Sequence, residues 1–244
     1  MMRILNLRHR NKKRSRDYIK MRKVDVRRSF LFCLIVGTAA FVHGLSRPKG
    51  YAGITVDART GLSKAMNAML AARSYRARVE SSTSNGTSSK TLVEFASPDH
   101  FHLTREITVA GHAPRHQETI IIAGDTWMKM GDTPWQQFPI NLGDLITQFR
   151  DPKIIDEIAK SVDVKIVGAE VLDGSQTTIY TYTLSDPDNK QSAITARTWV
   201  GVADGLPRKT ESESEANLGG KQIHIKGVVS YYDYEADIKI EKPL

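Results

Sequence analysis

Two histidines stand two residues apart in "DHFHL", His100 and His102, and His112 and His116 follow in "GHAPRH". On a strand that spacing puts both imidazoles of the first pair on one side, an arrangement zinc sites use. No third or fourth ligand falls in a recognisable pattern, so these read as polar strand and loop histidines. No metal or other cofactor is expected. The chain has no Gly-x-Ser-x-Gly elbow and no glycine-rich phosphate loop. Its one cysteine, Cys33, lies in an apolar run near the N-terminus, which leaves the rest without thiol or disulfide chemistry. Asp99, Asp125, Asp132 and Asp204 each neighbour Gly, Pro or Thr in turn-like stretches, where aspartate is favoured for backbone reasons. Arg76 and Arg78 alternate with Tyr75 and Val79 and read as a solvated face. These side chains predict a protein that is not an enzyme.

If nothing reacts, the charge must be accounted for otherwise. The net charge is +8, but residues 1–50 hold fourteen Lys and Arg against Asp17 and Asp25, a net of +12. The remainder therefore carries −4, and no basic face for nucleic acid is expected on it. The basic stretch precedes "FLFCLIVGTAAFVHG", about fifteen apolar or small residues. That is the order of a secretory signal, cut after Gly44 or Ala40, with Met1 or Met21 as the start. A spanning helix wants about twenty apolar residues, so a cleaved signal is favoured over an uncleaved anchor. The expected organisation is a basic region plus signal over 1–44, a linker over 45–60 and a single domain over 61–244. The signal, around 21–44, directs that domain to the periplasm or cell envelope.

Within the domain, "GLSKAMNAMLAARS" places Leu62, Ala65, Met66, Met69 and Leu70 on one helical stripe. A hairpin follows, with Tyr75, Ala77 and Val79 alternating and a turn at Asn85-Gly86. Strand signals continue in "HFHLTREITV", "ETIIIAG", "TWMKM", "WQQF", "DVKIVGAEVL", "TTIYTYTL", "ITARTWVG", "RKTESESEA" and "IHIKGVVSYYDY". The polar "TESESEA" predicts a solvated edge or a long, twisted hairpin arm. One passage breaks the series. "INLGDLITQFRDPKIIDEIAKSVD" sets Leu142, Leu145, Ile146 and Phe149 at helical spacing, then Ile155 and Ile158 after Pro152, with Asp151 suited to cap the second helix. Two short amphipathic helices amid antiparallel strands must bury their apolar faces, and the concave side of a curved sheet is available.

Five phrases carry a family likeness: "SYRARVE" after the helix, "FASPDHFHL", "IIIAGDTWMKMGDTPWQQFP", "TWVGVADGLPRKTE" and "YYDYEADIKIEKP". In this order they resemble the LolA-like superfamily of extracytoplasmic lipid and lipoprotein carriers, including its LppX/LprG-type branch. The chain departs from the pattern at His100, where such proteins have Arg or Lys. The resemblance implies an α+β, mostly antiparallel fold: an incomplete, half-open β-barrel with an N-terminal helix and short lid helices over a hydrophobic cavity. It implies a monomeric, non-catalytic carrier that takes a lipid or acylated lipoprotein between membrane-bound donor and acceptor proteins. The cavity and lid would be formed by Phe95, Phe101, Trp127, Met128, Trp135, Phe138, Leu142, Leu145, Ile146, Phe149, Ile155 and Ile158. The helices around 142–160 would swing outward to admit cargo, and adaptable Met66, Met69, Met128 and Met130 suit such a lining. Trp199 reads as purely structural. An envelope sensor is the second reading, and a lipid-processing enzyme the third.

Overall fold

The computed structural model describes residues 57–139, 142, 150, 152–153, 162–186, 189–218 and 221–243. Helix α1 spans Ala58–Ala71 and begins inside the stretch read as linker. The reason is Asp57, whose carboxylate accepts from the Thr60 amide at 3.3 Å and supplies the N-cap. Leu62 and Ala65 are its buried stripe.

Eleven strands follow: β1 (Ser74–Thr83), β2 (Thr87–Ala96), β3 (His100–Val109), β4 (Arg115–Ile122), β5 (Asp125–Met130), β6 (Gln136–Phe138), β7 (Val164–Leu172), β8 (Ser175–Asp186), β9 (Asn189–Gly201), β10 (Pro207–Leu218) and β11 (Lys221–Tyr232). They form one sheet in the order β6-β5-β4-β3-β2-β1-β11-β10-β9-β8-β7, with antiparallel pairing throughout. The sheet is a half-open barrel: among the described residues β6 and β7 are its edges, and the N-terminal helix lies on one face. The β1–β2 turn places Gly86 at φ 82°, backbone that an L side chain resists.

Strand β10 is not an edge; it lies between β11 and β9 as one arm of the long β10–β11 hairpin. Its interior role is hidden in sequence because, beyond Pro207, the residues it buries are Thr210, Ser212 and Ser214, which are themselves polar.

The register divides the sheet into two faces, since directly opposed residues in a ladder point the same way. Helix α1 defines the inner face by packing Leu62 and Ala65 with Val164, Tyr180 and Val200. The fit is close at Gly61, where a Cβ would lie 2.5 Å from the Tyr180 hydroxyl. Among the described residues no helix is long and apolar enough to cross a membrane.

Candidate functional site

One row of the inner face runs through paired residues Thr126, Ile121, Phe101, Phe95 and Tyr75 on β5, β4, β3, β2 and β1. Phe95, Phe101 and Ile121 are almost completely buried. The rings form a chain: Phe101 lies 4.9 Å from Phe95, Phe95 lies 5.1 Å from Tyr75, and Tyr75 lies 5.9 Å from Tyr234 and 6.3 Å from Tyr231. Each large aromatic removed from water contributes about 1.5–3 kcal/mol, so this end of the face is its apolar anchor.

Further along the strands the same face turns to hydroxyls. Tyr182, Thr198 and Thr210 form a chain, with oxygen separations of 3.3 and 3.0 Å. Ser81 and Ser89 share a 2.8 Å bond, and Ser212 and Ser214 are buried with no partner for their hydroxyls among the described residues. Burial pushes the Tyr75, Tyr182 and Tyr231 phenols above their ordinary value.

Two described members of the mid-chain passage reach this face. Leu142 is helical and buried, and its amide donates to Thr126 Oγ1 at 3.3 Å. Arg150 donates to the Leu70 carbonyl at 2.7 Å, and its guanidinium carbon lies 3.9 Å from the Phe95 ring centroid. Burial pulls the Arg150 pKa down, against an opposing contact with the Tyr75 hydroxyl. Sequence reasoning missed this arginine. Its signal was a lone cation ending the apolar run "LGDLITQFR".

The outer face has the opposite chemistry. Asp233, Arg76, Glu94, His102, Glu118 and Lys129 make a ladder of contacts at 2.9, 2.8, 3.2, 3.6 and 2.9 Å. Burial raises the Glu94 carboxyl, but hydrogen bonds from Arg76 and His102 outweigh it and leave the pKa lowered. Glu118 is lowered too, chiefly by its hydrogen bond from Lys129. Glu80, Glu106, Glu211, Glu213 and Glu215 also take the outward register positions. The His102 nitrogens face different carboxylates, and His100 lies 3.8 Å from Asp99. Among the described residues no group of three or more His, Cys, Asp or Glu side chains is placed to hold a metal.

Trp127 is paired with Ile120, which is paired with His102, so it belongs to this outer face. It is buried there, and Lys242 of the C-terminal tail lies 4.9 Å from its ring centroid. Trp135 stands beside outward-facing Lys129, at 5.2 Å. The two tryptophans are therefore removed from the expected inner set, because β5 turns Trp127 and Lys129 one way and Met128 and Met130 the other. Phe95, Phe101, Met128, Phe138 and Leu142 are on or at the inner face, with Phe138 38% exposed. Leu145, Ile146, Phe149, Ile155 and Ile158 lie outside the described residues. Trp199 is buried on the outer face and donates from Nε1 to Glu170 Oε1.

After β11 the tail forms a strap. Arg73 pairs with Glu235 at 2.6 Å, Ser74 Oγ donates to the Ala236 carbonyl at 2.6 Å, and Ile238 is buried. An open cleft of about 590 Å³ lies under it, lined by Arg73, Ser74, Ala96, Ser97 and residues 235–238. Its walls are the ion pair and backbone of the strap, on the side away from the aromatic chain.

This half-open antiparallel sheet, with a helix on one face, has the fold of LppX. LppX, a lipoprotein of Mycobacterium tuberculosis, superposes with a TM-score of 0.54 at 14% identity, over 77% of this chain and all (100%) of that one. A LolA superfamily protein from Nitrosomonas europaea matches at 15% identity over 76% of this chain and 96% of its own, with a TM-score of 0.25. MucB, in its complex with MucA, matches at 17% identity and a TM-score of 0.38, and the chain spans 58% of its length. No family model and no curated protein matches the chain.

Proposed function

We propose that this protein is an extracytoplasmic, non-catalytic carrier that holds a lipid, or the acyl chains of a lipoprotein, against the inner face of its sheet. The observation that carries the reading is the sidedness of the fold. Strand carboxylates point outward, while the aromatic chain from Phe101 to Tyr231 and the helix point inward. An acyl chain gains about 0.8 kcal/mol for each CH₂ withdrawn from water, so such a face attracts it without any specific bond. Leu142 and Arg150 support the companion idea that the passage 142–160 covers the bound chains, since each is tied to this face. The LppX-like fold and the basic, apolar N-terminal stretch are consistent with work outside the cytoplasmic membrane.

The test is mass spectrometry of organic extracts of the exported protein, beside titration with an acyl fluorophore. A stoichiometric lipid and saturable binding are expected. Clean extracts together with no acyl binding would sink the reading.

A further inference from the structure

Arg150 is a half-buried cation stacked on an aromatic ring. Its guanidinium lies over the Phe95 ring, bonds the Leu70 carbonyl near the C-terminal end of α1 and touches the Tyr75 hydroxyl. Among the described residues no carboxylate pairs with it. The described acids at the Tyr75–Phe95 end are already engaged: Glu94 and Asp233 with Arg76, and Glu235 with Arg73. A second cation has the same orientation. Arg105 occupies an inward register position between Thr91 and Gln117, and its Nε is buried without a hydrogen-bond partner among the described residues. Among the described strand side chains, the acids line the outer face and the inner face carries cations.

A desolvated cation with no counter-ion is costly, and an arginine's planar fork matches the oxygens of a carboxylate or phosphate. We infer that Arg150 pairs with an oxyanion on the headgroup of the cargo, so that this protein selects anionic amphiphiles over neutral ones of equal chain length. The inference rests on the carrier reading above and adds the charge of its cargo. Headgroup and chains then divide the inner face. The oxyanion lies at the Tyr75–Phe95 end beside the helix terminus, and the chains extend along the apolar row toward Phe101 and Ile121.

Two lipids that differ only in a phosphate test this: a phosphatidic acid and the diacylglycerol with the same chains, titrated into the full exported protein after delipidation. Wild type is expected to bind the phosphatidic acid at least about tenfold more tightly. Arg150→Gln should lose that preference, read as the ratio of the two affinities in the same variant, and Arg150→Lys should recover part of it. Equal affinity of wild type for both lipids overturns the inference and leaves the carrier standing, and this comparison needs no variant to fold. An equal loss of both lipids in a folded Arg150→Gln protein also overturns it, because the arginine then only ties the chain to the helix end. Inorganic phosphate that binds as tightly as the phosphatidic acid would make this a free-anion site and defeat the assignment to an amphiphile. Failure of both lipids to bind removes the carrier reading and this inference together.

Discussion

Lys242 lies over the indole of Trp127, its Nζ 4.9 Å from the ring centroid, on the face of the sheet opposite Phe95 and Phe101. The most aromatic stretch of the sequence therefore faces two ways. Its tryptophans are covered by the strap or stand beside Lys129, and its methionines look inward. Trp127→Ala should cost about 3 kcal/mol in denaturant unfolding, as truncation of a buried aromatic does. The folded variant should bind an acyl fluorophore as wild type does. A tenfold drop in affinity would mean that the two faces have been assigned wrongly.

Phe101 supplies the converse case. It is 2% exposed, in register with both Phe95 and Ile121. Phe101→Leu preserves much of the volume and should cost under about 2 kcal/mol, whereas Phe101→Ala should cost about 3–5 kcal/mol. Acyl-probe affinity is expected to fall in both, by more in the alanine variant. Unfolding curves and titrations on the same preparations separate the two effects, and unchanged affinity in both variants would exclude Phe101 from the binding face.

The outer ladder predicts the direction of acid sensitivity. Glu94 and Glu118 have carboxyls lowered from the ordinary 4.5, so the unfolded chain binds their protons first as pH falls. Their contribution is fully present above that value and is lost as pH drops through the lower native ones. Wild type should lose stability below about pH 4.5, and Glu94→Gln should lose less over that window. At pH 7 the same variant should be weaker by about 0.5–1 kcal/mol, the scale of a partly exposed pair. Melting curves from pH 3 to 7 check both signs.

How far the sequence disclosed this architecture follows from which signals are local. Strand β3 coincides with the run "HFHLTREITV" because a period of two is written in its residue types. The face each strand offers is set by pairing, so Trp127 could not be assigned from "TWMKM", where both alternating sets contain apolar groups. The position of β10 was hidden for a different reason: it buries hydroxyls, which local reading takes for solvent exposure. Arg150 acquires meaning only once the chain folds back onto Phe95 from far along the sequence. The closing phrase "YYDYEADIKIEKP" was recognisable, but its later half straps the outer face and pairs with no strand.

Those hydroxyls yield a last prediction. Ser212 is completely buried, and among the described residues neither its Oγ nor that of Ser214 has a hydrogen-bond partner. A buried hydroxyl left unsatisfied costs about 1–3 kcal/mol, and alanine removes the group with little change in volume. Ser212→Ala should therefore leave the cargo-free protein as stable as wild type or up to about 1 kcal/mol more stable. If the hydroxyl bonds a polar part of the cargo, the sign reverses in the loaded protein, where the variant should lose affinity. Denaturation of delipidated and loaded samples reads both states. A loss of more than about 1 kcal/mol in the delipidated variant would show that Ser212 has a bonding partner in the folded chain.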